Sequence, residues 1–165
     1  GLKGKDKSHD NYFINERIIM GSINFFQTDV IIENSLFKNL YSEDAINIVS
    51  SNYKIKNTFF ENIKSDAIDI DFSDGKITES IFLKIGNDAI DFSGSNSDVQ
   101  LITFKEVGDK GVSVGENSSI NISSIIGEKS LVGIATKDGS ITHANDINFK
   151  NIDYPFAAYQ KKKSL

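Results

Sequence analysis

Apolar residues recur two apart in short bursts along this chain, and the bursts themselves recur. GSINFFQTDVII from Gly21, DAINIVSSNYKI from Asp44, DAIDIDFSDGKI from Asp66, DAIDFSGSNSDV from Asp88, KGVSVGENSSIN from Lys110 and VGIATKDGSITH from Val132 align one beneath another. From Asp44 onward the starts lie 22 residues apart, a further 22 reaches Tyr154, and only the first interval is 23. One column of the alignment reads Ile23, Ile46, Ile68, Ile90, Val112, Ile134, Phe156, and two positions on stand Phe25, Ile48, Ile70, Phe92 and Val114. Apolar positions at i and i+2 predict strands with one buried face. A second stripe, in NSLFKNL, NTFFENI, ESIFLKI, LITFKEV and INFKNI, supplies a core column of Phe37, Phe60, Phe82, Phe104 and Phe149.

Each repeat holds two or three such strands separated by Gly, Asn, Asp or Ser turns, with no room for a helical crossover. A short strand that cannot bury its face alone does so by stacking on the next repeat, about 4.8 Å away. The prediction is an all-β fold, a parallel β-helix solenoid of about six to seven coils over residues 20–160. Residues 1–19 read as an irregular N-terminal segment or incomplete first coil, and 161–165 as a basic C-terminal tail. Leucine-rich repeats would show an asparagine-leucine signature and a helical side, and a β-propeller a period of roughly 40. The open ends of a solenoid expose unpaired strand edges that are normally covered, so flanking domains of a longer polypeptide are expected partners.

Composition narrows the function classes. The net charge is −5 and the one dense basic run is Lys161–Lys163, which argues against nucleic acid. No apolar run approaches the roughly 20 residues of a membrane-spanning helix, so no membrane insertion is expected. The absence of cysteine removes disulfides and thiolate metal sites but does not choose a compartment. Only His9 and His143 are present, without a serine elbow or metal-helix motif, and the glycines of VGDKGVSVGEN do not match a phosphate-binding loop.

The chemistry lies in the outward columns. If Ile68 and Ile70 point inward, Asp69 and Asp71 point out. One outward column reads Asn24, Asn47, Asp69, Asp91, Ser113, Ala135, Ala157, and the next Phe26, Val49, Asp71, Ser93, Gly115, Lys137, Tyr159; Asp44, Asp66, Asp88 and Lys110 occupy the preceding turn. Two carboxylates about 5 Å apart repel by roughly 3 kcal/mol at an effective dielectric near 20. Such a cluster binds a cation, holds a proton or stays hydrated. Asp66, Asp69, Asp71, Asp88 and Asp91 are hard oxygen ligands of the kind that suit Ca²⁺. Asp69 and Asp91 could act as acid and base on a glycosidic bond, assisted by Lys110 or Lys137. Asp71, Ser93, Ser113, Lys137, Tyr159 and Lys161 are candidates for binding a ligand, the last two and Lys137 for an acidic sugar or a peptide. The plainer alternative has the turn aspartates accepting backbone N–H groups two residues on, and the rest forming a solvated face that discourages lateral pairing.

The stacked DAIDI and DAIDF units resemble the coils of the pectate-lyase-like superfamily of pectate lyases, polygalacturonases and alginate epimerases, over roughly residues 20–160. That resemblance implies a right-handed helix with triangular coils. SDAIDI and NDAIDF are similar to the Asp-Asp segments of polygalacturonases, but the Gly-His-Gly and Arg-x-Lys partners, the Asp-Pro-His-Glu type motif of the epimerases and a lyase arginine have no counterpart, Arg17 being the sole arginine. The strings SEDAINIV, SDAIDIDFS, NDAIDFSGS, GDKGVSVGE, GIATKDGS and AAYQKK also resemble β-helix segments of large bacterial surface proteins associated with spore-coat-H-like kinase domains. The expected function is a non-catalytic module presenting an acidic outer face to polysaccharide or another surface, outside the cell or on it. A polysaccharide-processing enzyme of lyase, hydrolase or epimerase type and a rigid spacer are the alternatives.

Overall fold

The computed structural model of the chain describes residues 5–6, 11–14 and 17–161. Most of the stretch 1–19 and nearly all of the basic tail 161–165 therefore lie outside the described residues. Within the former, β1 (Lys5–Asp6), β2 (Asn11–Ile14) and β3 (Arg17–Ile19) pair antiparallel as a separate three-stranded sheet.

Everything from Gly21 to Tyr159 is a parallel β-solenoid of about six turns, with no helix among the described residues. The first three coils are β4 (Gly21–Phe26), β5 (Val30–Glu33) and β6 (Leu36–Leu40); β7 (Asp44–Val49), β8 (Asn52–Lys56) and β9 (Phe59–Ile63); and β10 (Asp66–Asp71), β11 (Asp74–Thr78) and β12 (Ile81–Ile85). β13 (Ile90–Ser93) opens the fourth coil. β14 (Asn96–Gly115), β15 (Ser119–Lys137) and β16 (Ile141–Tyr159) are long strands that bend around corners without breaking. Three parallel faces result. The first stacks β4, β7, β10 and β13 beneath the last third of β14, β15 and β16.

Register pairs confirm the expected columns: Ile23, Ile46, Ile68, Ile90, Val112, Ile134 and Phe156 are successive partners. Ile46, Ile68, Ile90 and Val112 are completely buried. On the third face Phe37, Phe60 and Phe82 stack, with centroids 5.2 and 4.9 Å apart.

The phenylalanine column hides an interruption. Phe104 pairs with Phe82 on the preceding coil, but on the following coil its partner is Gly127, which in turn pairs with Phe149. The cause is a residue gained and then returned. Asn96 pairs with Ser119, a step of 23, whereas Ser93 pairs with Gly115, a step of 22. The extra residue sits at the corner where Glu116 and Asn117 both have positive φ. The register shift between Val107 and Lys110 returns the chain to steps of 22.

Three columns of positive-φ residues form the corners. One runs Gln27, Ser50, Phe72, Gly94, Glu116; another Asn34, Asn57, Glu79, Leu101, Ser124, Asp146; the third Asn39, Asn62, Lys84, Glu106, Lys129, Asn151. Asparagine tolerates the left-handed conformation better than most residues. Stacked asparagines add bonds of their own, Asn57 Nδ2 donating to Asn34 Oδ1 at 2.7 Å and Asn62 Nδ2 to Asn39 Oδ1 at 2.6 Å. Inside the first corner runs a hydroxyl ladder. The amides of Thr28, Ser51, Ser73, Ser95 and Ser118 donate to the Oγ atoms of Ser51, Ser73, Ser95, Ser118 and Ser140, at 3.0–3.1 Å.

Candidate functional site

The three faces differ in how they stack charge. On the second and third, a lysine of one coil meets a glutamate of a neighbouring coil: Lys54–Glu33 at 2.7 Å, Lys38–Glu61 at 2.9 Å, Lys105–Glu128 at 3.1 Å and Lys56–Glu79 at 3.3 Å. On the first face aspartate stacks on aspartate. Asp44 pairs in register with Asp66, and Asp69 with Asp91. Like charges placed opposite one another on adjacent strands oppose pairing.

The strand alternation places Asp69, Asp71 and Asp91 on the outer side, half-buried, opposite the buried Ile68, Ile70, Ile90 and Phe92. Asn47 Nδ2 donates to Asp69 Oδ2 at 2.8 Å from the coil below. Burial, reinforced by the charges of Asp71, Asp44 and Asp91, pushes the Asp69 carboxyl up to about 9. Burial and then Asp66 push Asp44 up to about 8. Burial also raises Asp71 and Asp66, in the latter against the bonds it accepts from the coil above. At neutral pH Asp44 and Asp69 therefore keep their protons, and the face carries fewer charges than its aspartates suggest.

Of the turn aspartates, Asp66 and Asp88 cap backbone amides, across coils rather than two residues on, whereas the Asp66 amide donates to Glu43 O and not to the Asp44 carboxyl. Asp66 Oδ1 accepts from Asp88 N at 2.8 Å and from Asn87 Nδ2 at 2.6 Å, and Asp88 Oδ1 accepts from Lys110 N at 3.0 Å. Lys110 Nζ lies 3.3 Å from Asp88 Oδ1 and also bonds Asp109, so it is an ion-paired closure of the column. Burial works against its charge, yet the bond to Asp109 and the charge of Asp88 raise the ammonium overall. Asp88 itself is pushed up to about 7 by burial, with Lys110 opposing.

Lys137 does not reach into solvent. Its Cε lies 3.2 Å from where a Cβ on Gly115 would sit, and its Nζ is 3.8 Å from Asp91 Oδ1, with 8% of its side chain exposed. Beneath it Ser113 is fully buried. Asp44 Oδ2, Asp91 Oδ1 and Ser113 Oγ are shielded from solvent and have no hydrogen-bond partner. Ser93 pairs with Asp71 and is half-buried, whereas Tyr159 stands next to Lys137 in register and is exposed. Lys161 is exposed at the far end, its amide held by Asp138 Oδ1 at 2.7 Å.

The five aspartates expected as metal ligands spread along the face, and among the described residues no three His, Cys, Asp or Glu side chains converge on a common point suited to a metal ion. Two shallow depressions of about 300 and 380 Å³ lie away from this face, along Leu101 and Ile126 and along Gly86 and Gly108, and neither gathers comparable carboxylates.

Several contributors escaped the sequence. Asp109, which closes on Lys110, precedes it as one charged residue among many. The hydroxyl ladder was legible in principle, since Thr28, Ser51, Ser73, Ser95, Ser118 and Ser140 recur at intervals of 22 or 23. Phe72 falls outside both apolar columns and had no signal beyond being an aromatic residue at a corner. No protein-family model and no curated protein matches the chain.

Proposed function

We propose that this solenoid is a glycan-binding module, presenting its first face to polysaccharide outside the cell or at its surface as one part of a larger protein. The observation that carries the reading is the stacking of aspartate on aspartate on one face alone, where the other faces of the same solenoid pair lysine with glutamate. Such a row of carboxyls and amides at about 4.8 Å intervals offers repeated acceptors and donors to the hydroxyls of an extended sugar chain. The resemblance of the DAIDI and DAIDF units to pectate-lyase-like coils and to β-helix segments of bacterial surface proteins supports the same assignment. The test is retention on immobilised polysaccharides. The parent is retained without turnover, and the Asp69→Asn/Asp91→Asn double variant, folded as judged by circular dichroism, is retained less.

One observation favours a second reading, in which the face cleaves what it binds. Asp69 holds its proton to about pH 9 with Asp91 beside it in register, an arrangement suited to donating a proton to a glycosidic oxygen. Release of new reducing ends from a retained polysaccharide, lost in Asp69→Asn, would establish it. Bound glycan recovered intact leaves the binding module.

A further inference from the structure

At the rim of the first face one corner residue is out of character. The corner column reads Gln27, Ser50, Phe72, Gly94, Glu116, all with positive φ, and Phe72 at φ 48° is the one large apolar member. A bulky side chain in that conformation is an outlier that solenoid packing does not require, since the residue is 66% exposed. Its backbone is fixed by its N–H donating to Ser93 O at 2.8 Å. The next residue up the column makes a seat for the ring: Gly94 has no Cβ, and one placed there would lie 2.6 Å from Phe72 Cδ1 and 2.8 Å from Cε1. The aromatic plane is therefore backed by the bare backbone of the neighbouring coil and presents its other side outward, next in sequence to Asp71.

Outward polar groups with acceptor oxygens flank the ring. Asp71 immediately precedes Phe72, its register partner Ser93 immediately precedes Gly94, and both are half-buried on the outer side of the face. A ligand suited to both features has an apolar face to lie on an aromatic ring and a rim of hydroxyl donors, which describes a pyranose. A uronate would bring a further anion to a face where carboxylates already stack.

We infer that Phe72, seated on Gly94, is a stacking platform for a carboxylate-free hexopyranose whose hydroxyls reach the adjacent acidic column. The inference rests on the glycan-binding reading and narrows it to neutral sugars. It is tested on an array of immobilised oligosaccharides that includes neutral hexose polymers and polygalacturonate, probed with the parent, Phe72→Ala and Phe72→Tyr.

The expected result is binding of neutral hexose oligomers in preference to polygalacturonate, weakened about tenfold in Phe72→Ala and kept in Phe72→Tyr. Because the residue is mostly exposed, Phe72→Ala should fold, and circular dichroism checks this. Neutral-glycan binding equal in parent and Phe72→Ala overturns the platform and leaves the glycan module standing. Preference for polygalacturonate overturns the sugar class, and no retention of any glycan overturns both readings.

Discussion

Phe104 and Phe149 stand two coils apart in one column, yet their rings meet with centroids 5.7 Å apart, tilted by 52°, across the bare backbone of Gly127. A Cβ on Gly127 would lie 2.3 Å from Phe104 Cζ, and one on Gly111 would meet the same ring at 2.3 Å. The two rings thus fill the place of the side chain that the fifth coil lacks. Gly127→Ala should destabilise the fold by about 1–3 kcal/mol through overpacking, a fall of several degrees in Tm by calorimetry. An unchanged midpoint would mean that the Phe104 ring has room to move.

Asp69 and Asp44 link stability to pH in the direction opposite to an ion-paired carboxylate. Their folded values, about 9 and about 8, lie above the ordinary value of 3.8, so between roughly pH 4 and pH 9 the folded state holds protons that the unfolded chain has released. Their contribution is complete below the ordinary carboxylate value and is lost as pH rises through the folded values. Urea midpoints should therefore fall from pH 5 to pH 9 in the parent, and fall less in Asp44→Asn/Asp69→Asn. An equal decline in both proteins would show that these carboxyls are ionised at neutral pH.

Ser73 occupies the middle of the hydroxyl ladder. Its Oγ accepts from Ser51 N at 3.0 Å and lies 2.8 Å from Asp71 O, to which it donates, while its own amide donates to Ser95 Oγ. Ser73→Ala leaves the buried Ser51 N–H without an acceptor, at a cost of about 1–3 kcal/mol. Native-state hydrogen exchange should show the Ser51 amide exchanging markedly faster in the variant. Unchanged protection there would mean that the ladder contributes little.

Calcium provides a separate check on the acidic face. The carboxyls that were expected to bind it are spread along the sheet, and Asp44 and Asp69 keep their protons at neutral pH. Millimolar Ca²⁺ and EDTA should leave the thermal midpoint of the parent unmoved at pH 7. A rise of a few degrees with Ca²⁺ that disappears in Asp69→Asn/Asp91→Asn would reveal a cation site.

The solenoid was legible because its inside is written in the same residue types in every coil. Ile46, Ile68 and Ile90 meet in the predicted register since one buried column tolerates little else. The uniform step of 22 concealed what happens between those columns. A one-residue gain at Glu116–Asn117 and its return between Ser130 and Val132 cancel in the spacing of the first face and appear only on the other two, which is why Gly127 went unnoticed. The acidic residues could be placed on a face, but their state could not. Whether Asp69 is charged depends on Asn47 below it and on burial, and Lys137 folding over Gly115 follows from a missing side chain 22 residues earlier. Side-chain direction on an outer surface is not encoded by periodicity.

The paired gain and return of one residue also bears on how such a chain can lengthen. Inside a strand, a single added residue would invert every following side chain, sending isoleucines to solvent and aspartates into the core. At the Glu116–Asn117 corner the addition is absorbed by one more left-handed residue, and both neighbouring faces keep their polarity. The corners are therefore where this architecture tolerates inserted sequence: loops of new composition can be grafted there while the stacked columns remain in phase.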